Sequence, residues 1–154
     1  MNEEPDSKLI EAAAFLAQTE IYLKTVDINL EKAPHAACFY AHQAGEMALK
    51  GLFVASGLYV GGTHSLNGLI DGLYKHYPEL AQLRTQATQL DPFYISTRYI
   101  PRIERSYGVP PASRYTAEIA AGAKVASLSI VTKCQQIYGR LVLDFKAELQ
   151  PPES

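Results

Sequence analysis

The chain has 154 residues, 47% of them hydrophobic and 19% charged, with a formal net charge of −2. That length suits one domain spanning the whole chain with a single core over about residues 7–148, and the composition excludes a disordered chain. A charge so near zero excludes a general attraction to nucleic acid, so any such attraction must be local. Cys38 and Cys134 lack metal-type spacing and fall in apolar helical stretches, which reads as buried free thiols in a reducing compartment. The acidic start, Met-Asn-Glu-Glu-Pro-Asp, carries no apolar signal core, and no apolar run is long enough to span a bilayer. A cytoplasmic protein without membrane association is expected.

Residues 5–32 read as the first helix, with Asp6 and Ser7 as caps and Ile10, Ala13, Ala14, Ala17 and Ile21 as its apolar stripe. Its acidic residues Glu11, Glu20, Asp27 and Glu31 read as a solvated face. Pro34 can open the next helix, where its missing N–H is harmless. So short a connection predicts an antiparallel hairpin.

The second helix, residues 35–57, is apolar or small over most of its circumference and should be buried. Gln43, Glu46 and Lys50 nevertheless line one polar stripe along it, and such groups need partners. The simplest partnering is an intrahelical Glu46–Lys50 pair with Gln43 on neighbouring backbone.

Residues 57–62 form a glycine-containing loop without the Gly-Lys-Ser/Thr of a phosphate loop. Thr63 or Ser65 can cap a short helix to about His76, with Leu66, Leu69, Ile70 and Leu73 inward. A further amphipathic pass over residues 79–90 turns Leu80, Leu83, Ala87 and Leu90 to one side. Asp91-Pro92 then starts a tyrosine-rich segment, and residues 101–113 read as a loop marked by Pro101, Gly108, Pro110 and Pro111. The last long helix, about residues 115–149, repeats Ile119, Ala123, Ala126, Ile130, Cys134, Ile137, Leu141 and Phe145 at helical spacing. The expected fold is all-α: an up-and-down four-helix bundle with short additional helices.

The order of motifs in this frame carries a resemblance. Gln43-Ala-Gly-Glu46-Met-Ala-Leu-Lys50-Gly-Leu, then His64-Ser65-Leu66, then Arg98-Tyr99, resembles the signature of the HEPN domain family, the helical "higher eukaryotes and prokaryotes nucleotide-binding" domains. The resemblance implies that the second helix faces a cleft in which Arg98 approaches Glu46, as part of a network of Gln43, Glu46 and His64. It also implies dimerisation, and a small nucleotidyltransferase partner in a toxin–antitoxin or defence-type system.

Four of the six arginines, Arg98, Arg102, Arg105 and Arg114, lie between positions 98 and 114, interleaved with Tyr94, Tyr99, Tyr107 and Tyr115. Guanidinium groups hold phosphate and tyrosine rings stack on bases, so the segment is a candidate anion or RNA site. The same arginines can instead pair with the acidic first helix. The nucleotide- or RNA-binding candidates are Arg98, Tyr99, Arg102, Arg105 and Lys50. His64, at a helix start, reads as a partly buried histidine bonding a neighbouring helix.

Catalytic members of that family carry an arginine followed, after four to six residues, by a histidine. Here Arg98 meets Ile103, Glu104 and Arg105 at those positions, and no histidine follows His76. Without that imidazole the metal-independent ribonuclease lacks its general acid or base. No catalytic residue, metal site or cofactor is assigned. The reading is a non-catalytic domain that binds a nucleotide or RNA. The alternatives are a structural dimerising scaffold for a protein partner and a diverged ribonuclease toxin.

Overall fold

The computed structural model describes residues 5–99, 108–150 and 152, and every regular element among them is helical. Helices α1 (Pro5–Asn29) and α2 (Pro34–Ala55) form the expected antiparallel hairpin, with Pro34 in the first turn of α2. α1 ends earlier than residue 32. The Asn29 amide donates to the Thr25 carbonyl at 2.8 Å, and Ala33 N–H closes the turn onto the Asn29 carbonyl.

The rotation of α1 differs from the sequence reading. Ile10 and Ile21 are 65% and 55% exposed, and Ala13, Ala14 and Ala17 are exposed as well. Leu9, Ala12, Thr19, Leu23 and Val26 are buried instead. α1 carries apolar residues on two sides, so periodicity alone could not choose between them. The choice falls to close packing on α2. A Cβ at Gly51 would lie 3.2 Å from the Phe15 Cβ and 3.5 Å from the Ala12 carbonyl oxygen, so the helices meet where α2 has no side chain. The Thr19 hydroxyl lies on that face and is satisfied by the Phe15 carbonyl at 3.1 Å, with the Ala44 carbonyl at 3.4 Å.

α3 (Leu66–Leu73) is capped by Ser65, whose Oγ accepts from Gly68 N–H at 3.1 Å. It stops short of His76, and Leu66, Leu69, Ile70 and Leu73 are all buried. The pass expected over residues 79–90 divides into a 3-10 segment, Pro78–Leu83, and α4 (Arg84–Leu90). Leu80, Leu83, Ala87 and Leu90 are still buried, because residues three apart also share one side of a 3-10 helix. α5 (Phe93–Ser96) is a single turn. A second 3-10 turn, Pro111–Arg114, leads to α6 (Ala117–Glu148), which Thr116 caps by accepting from Ile119 N–H at 3.2 Å.

Three long helices, α1, α2 and α6, with α3 and α4 in series on the fourth side, complete the up-and-down bundle. α6 runs antiparallel to α1. Its Lys124, Gln135 and Tyr138 meet Asp27, Glu20 and the Leu9 carbonyl, descending along one helix while ascending the other. One core cluster joins all four sides, with Leu49, Leu52, Leu66, Ile70, Leu80, Leu90, Ile130 and Ile137 in it. Ile119, expected inward, is 41% exposed, and Ala120 is the residue buried at the entry of α6. Past Ile137 the core thins: Leu141 and Phe145 are half-covered, and clefts of about 330 and 410 Å3 flank Phe145. Among the described residues, no helix is long and apolar enough to cross a membrane.

Candidate functional site

The polar stripe of α2 is built into the bundle rather than displayed on it. Glu46 is only 1% exposed, a carboxylate that would be costly to bury alone. Two groups meet it: Lys50 Nζ at 3.7 Å, one turn along, and His64 Nδ1 at 2.7 Å, from the loop before α3. An ionised carboxylate can only accept, so against it Nδ1–H of His64 is the donor, and in a neutral ring Nε2 then carries the lone pair. The His64 side chain is 47% exposed, whereas that of Lys50 is mostly covered and engaged with Glu46. Gln43 turns sideways, its Oε1 lying 3.2 Å from Nδ1 of the buried His42.

A second carboxylate fixes the loop that carries His64. Asp91, at the end of α4, accepts from Leu66 N–H at 2.6 Å, Asn67 N–H at 3.2 Å, the Ser65 hydroxyl at 3.0 Å and the Asn67 amide at 3.2 Å. It thus supplies the acceptors and the negative charge that the first turn of α3 requires. His42 Nε2 lies 3.3 Å from Asp91 Oδ1 but out of line for a hydrogen bond, so the two are close neighbours without being bonded.

The aromatic half comes from α5. The Tyr94 ring stacks on the His64 imidazole, centroids 4.4 Å apart and planes 15° from parallel. Arg98, one turn on, donates from Nε to the Tyr94 carbonyl at 2.9 Å. Its guanidinium carbon lies 4.5 Å from the Tyr94 centroid, 4.7 Å from that of Phe39 and 5.1 Å from that of Tyr99. Tyr94 is therefore engaged on both counts, and Tyr99, 59% exposed, is the ring with open surface.

Arg98 does not reach Glu46, as the resemblance had implied; His64 is the residue on that carboxylate, and Arg98 joins the cluster through Tyr94. The reason is local. α5 is one turn long, and a guanidinium four residues after Tyr94 folds back onto its free carbonyl. On α1, Glu20 and Asp27 are met by Gln135 and Lys124 of α6. Arg114 donates to the Ser96 carbonyl at 3.4 Å. Arg102 and Arg105 lie outside the described residues.

The fold thus brings Glu46, Lys50, His64 and Arg98 into one cluster with Tyr99 at its edge. The sequence reading left Phe39, His42, Asp91 and Tyr94 out of the site. Asp91 was visible only as a chain-restarting Asp-Pro, and Tyr94 only as one tyrosine among several. Among the described residues, no group of three or more His, Cys, Asp or Glu side chains could hold a metal ion. Away from the site, burial pushes the Cys38 thiol up to about 11, and the buried Cys134 thiol is raised as well.

Residues 11–126, from within α1 to within α6, match the HEPN domain family model. The chain belongs to the HEPN family. The HEPN match spans every part of the cluster described above. A solved structure, the crystal structure of TT1696 from Thermus thermophilus, superposes with a TM-score of 0.72 at 32% identity, covering 81% of this chain and 96% of that one. No curated protein matches the chain.

Proposed function

We propose that this HEPN protein binds a nucleotide or a short single-stranded stretch of RNA at the Glu46–His64–Tyr94–Arg98 cluster, without turning it over. One observation carries the reading: a half-exposed imidazole and an exposed guanidinium rest against the same tyrosine ring, beside the open ring of Tyr99. Guanidinium and imidazole suit a phosphate, and an exposed tyrosine suits a base. Lys50 contributes by holding Glu46 rather than by meeting ligand directly. The linear arginine–histidine spacing of the family's ribonucleases is missing, which supports binding without cleavage.

The test is a titration with ATP, GTP and a short single-stranded RNA at low salt, with Arg98→Ala alongside. Saturable binding weakened about tenfold or more in the variant, with a shallower dependence on salt, is the expected result. Equal binding by both proteins would remove Arg98 from the site.

Two assemblies belong to the same reading. Family membership supports a small nucleotidyltransferase as a partner in a toxin–antitoxin or defence-type system. Co-purification of the two chains at fixed stoichiometry is the measurement, and separate elution counts against the pairing. A homodimer is supported by the outer face of α1, where Ile10, Ala14, Ala17, Ile21 and Ile28 recur at the spacing of a helix–helix seam and are all exposed. Light scattering should then give twice the chain mass, and the chain mass itself for Ile21→Glu. A monomeric parent protein would refute the seam.

A further inference from the structure

We infer that the site takes up a proton on His64 together with its anionic ligand, so that the protonation of this one imidazole gates phosphate binding. The inference rests on the proposed nucleotide or RNA site.

The charged and aromatic groups around the loop of His64 come from α2, α4 and α5. From α2 come Glu46, bonded to Nδ1, and Lys50, beside that carboxylate; His42 lies on the same helix. The end of α4 contributes Asp91, committed to the first turn of α3. α5 and the turn after it contribute Tyr94, stacked on the ring, and Arg98 against Tyr94. With both histidines neutral, the two carboxylates and the two cations of this set cancel. In that state a phosphate approaching Arg98 meets no excess positive charge from these groups, and Nε2 of His64 offers it a lone pair. An acceptor facing an acceptor is unfavourable.

One proton on Nε2 reverses both terms. The ring then donates from both nitrogens, Nδ1–H to Glu46 and Nε2–H to a phosphate oxygen, and the cluster carries one net positive charge. His42 cannot take this role, because it is fully buried with its Nδ1 on Gln43. Glu46 is suited to sustain the charged ring: it is buried, it is already aligned on Nδ1, and Lys50 keeps it in place. His64 is half-exposed, so its proton exchanges with solvent without local unfolding. No bond is made or broken in the ligand; the proton comes from buffer and returns to it on release.

The test is calorimetric titration of the full chain with a short oligouridylate bearing hydroxyl ends, near pH 7.5. That probe has no group titrating near neutrality, so any proton taken up belongs to the protein. Repeating the titration in two buffers of different ionisation enthalpy reads the number of protons directly. The expected result is proton uptake on binding, at most one per oligonucleotide, and affinity rising by up to about tenfold per unit fall in pH. His64→Gln, which can still donate to Glu46, should bind more weakly, with no uptake and no pH dependence from this source. Glu46→Gln should retain binding with smaller uptake. Normal binding by the parent protein with the same apparent enthalpy in both buffers would overturn the inference while leaving the binding site standing. Uptake that persists in His64→Gln would assign it to another group and overturn it equally. No oligonucleotide binding by the parent protein would instead refute the site reading on which the inference depends.

Discussion

Asp91→Ala is the perturbation that most directly tests how the site is held. The carboxylate lies outside α3 in sequence yet satisfies Leu66 N–H at 2.6 Å and Asn67 N–H at 3.2 Å, and holds the Ser65 hydroxyl and the Asn67 amide. Truncation leaves the Leu66 N–H, behind a wholly buried leucine, without its acceptor. An unmet buried donor costs about 1–3 kcal/mol, and a lost cap about 1 kcal/mol. Ser65 still caps Gly68, and the Asp91 side chain is 22% exposed, so water recovers part of the loss. A net destabilisation of about 2–3 kcal/mol follows, roughly 5–10 °C in melting temperature for a chain of this size. Urea denaturation measures it through the midpoint at constant slope. Asp91→Asn keeps one oxygen for Leu66 N–H and should lose only about 1 kcal/mol. Because the same carboxylate anchors the loop carrying His64, ligand affinity should fall in the alanine variant although Asp91 need not touch ligand. A shift below about 0.5 kcal/mol for Asp91→Ala, or equal shifts for the two variants, would refute the capping account.

Three further outcomes follow from the packing and burial. Gly51→Ala should destabilise the α1–α2 hairpin by about 1–3 kcal/mol, since the added methyl meets the Phe15 Cβ at 3.2 Å; an unchanged urea midpoint would show that the helices separate without cost. Glu46→Ala should cost about 3 kcal/mol or more, because it strands the mostly buried Lys50; the further change Lys50→Met should recover most of that loss in the same assay, and an absence of recovery would mean that the two groups are not coupled. Burial raises the folded thiol of Cys38 from 9.0 to about 11, so its neutral form stabilises the fold below the unfolded value and that contribution is lost as pH rises through the interval. Cys38→Ala should therefore flatten the stability–pH curve over that window, and a curve of unchanged slope would contradict it.

The sequence and the tertiary structure divide the determination of this protein by the range of the forces involved. Local rules sufficed for the order of the long helices, for Pro34 opening α2 and for Ser65 capping α3, since each depends on residues within a turn of one another. Periodicity also sufficed for the buried leucines of residues 66–90 and for the α2 stripe, where only one face is apolar enough to bury or polar enough to mark. It failed for α1, which has two apolar faces, because the face that packs was chosen by a glycine on another helix. It gave the ingredients of the site without their pairing. Glu46 and His64 are eighteen residues apart, and Asp91 lies twenty-five beyond the N–H it caps. The short turn of α5 sends Arg98 back to Tyr94 instead of on to Glu46. Spacing along a chain fixes which side chains share a helix face. Which faces meet depends on packing volume and on where buried charges find partners, and both are properties of the assembled bundle.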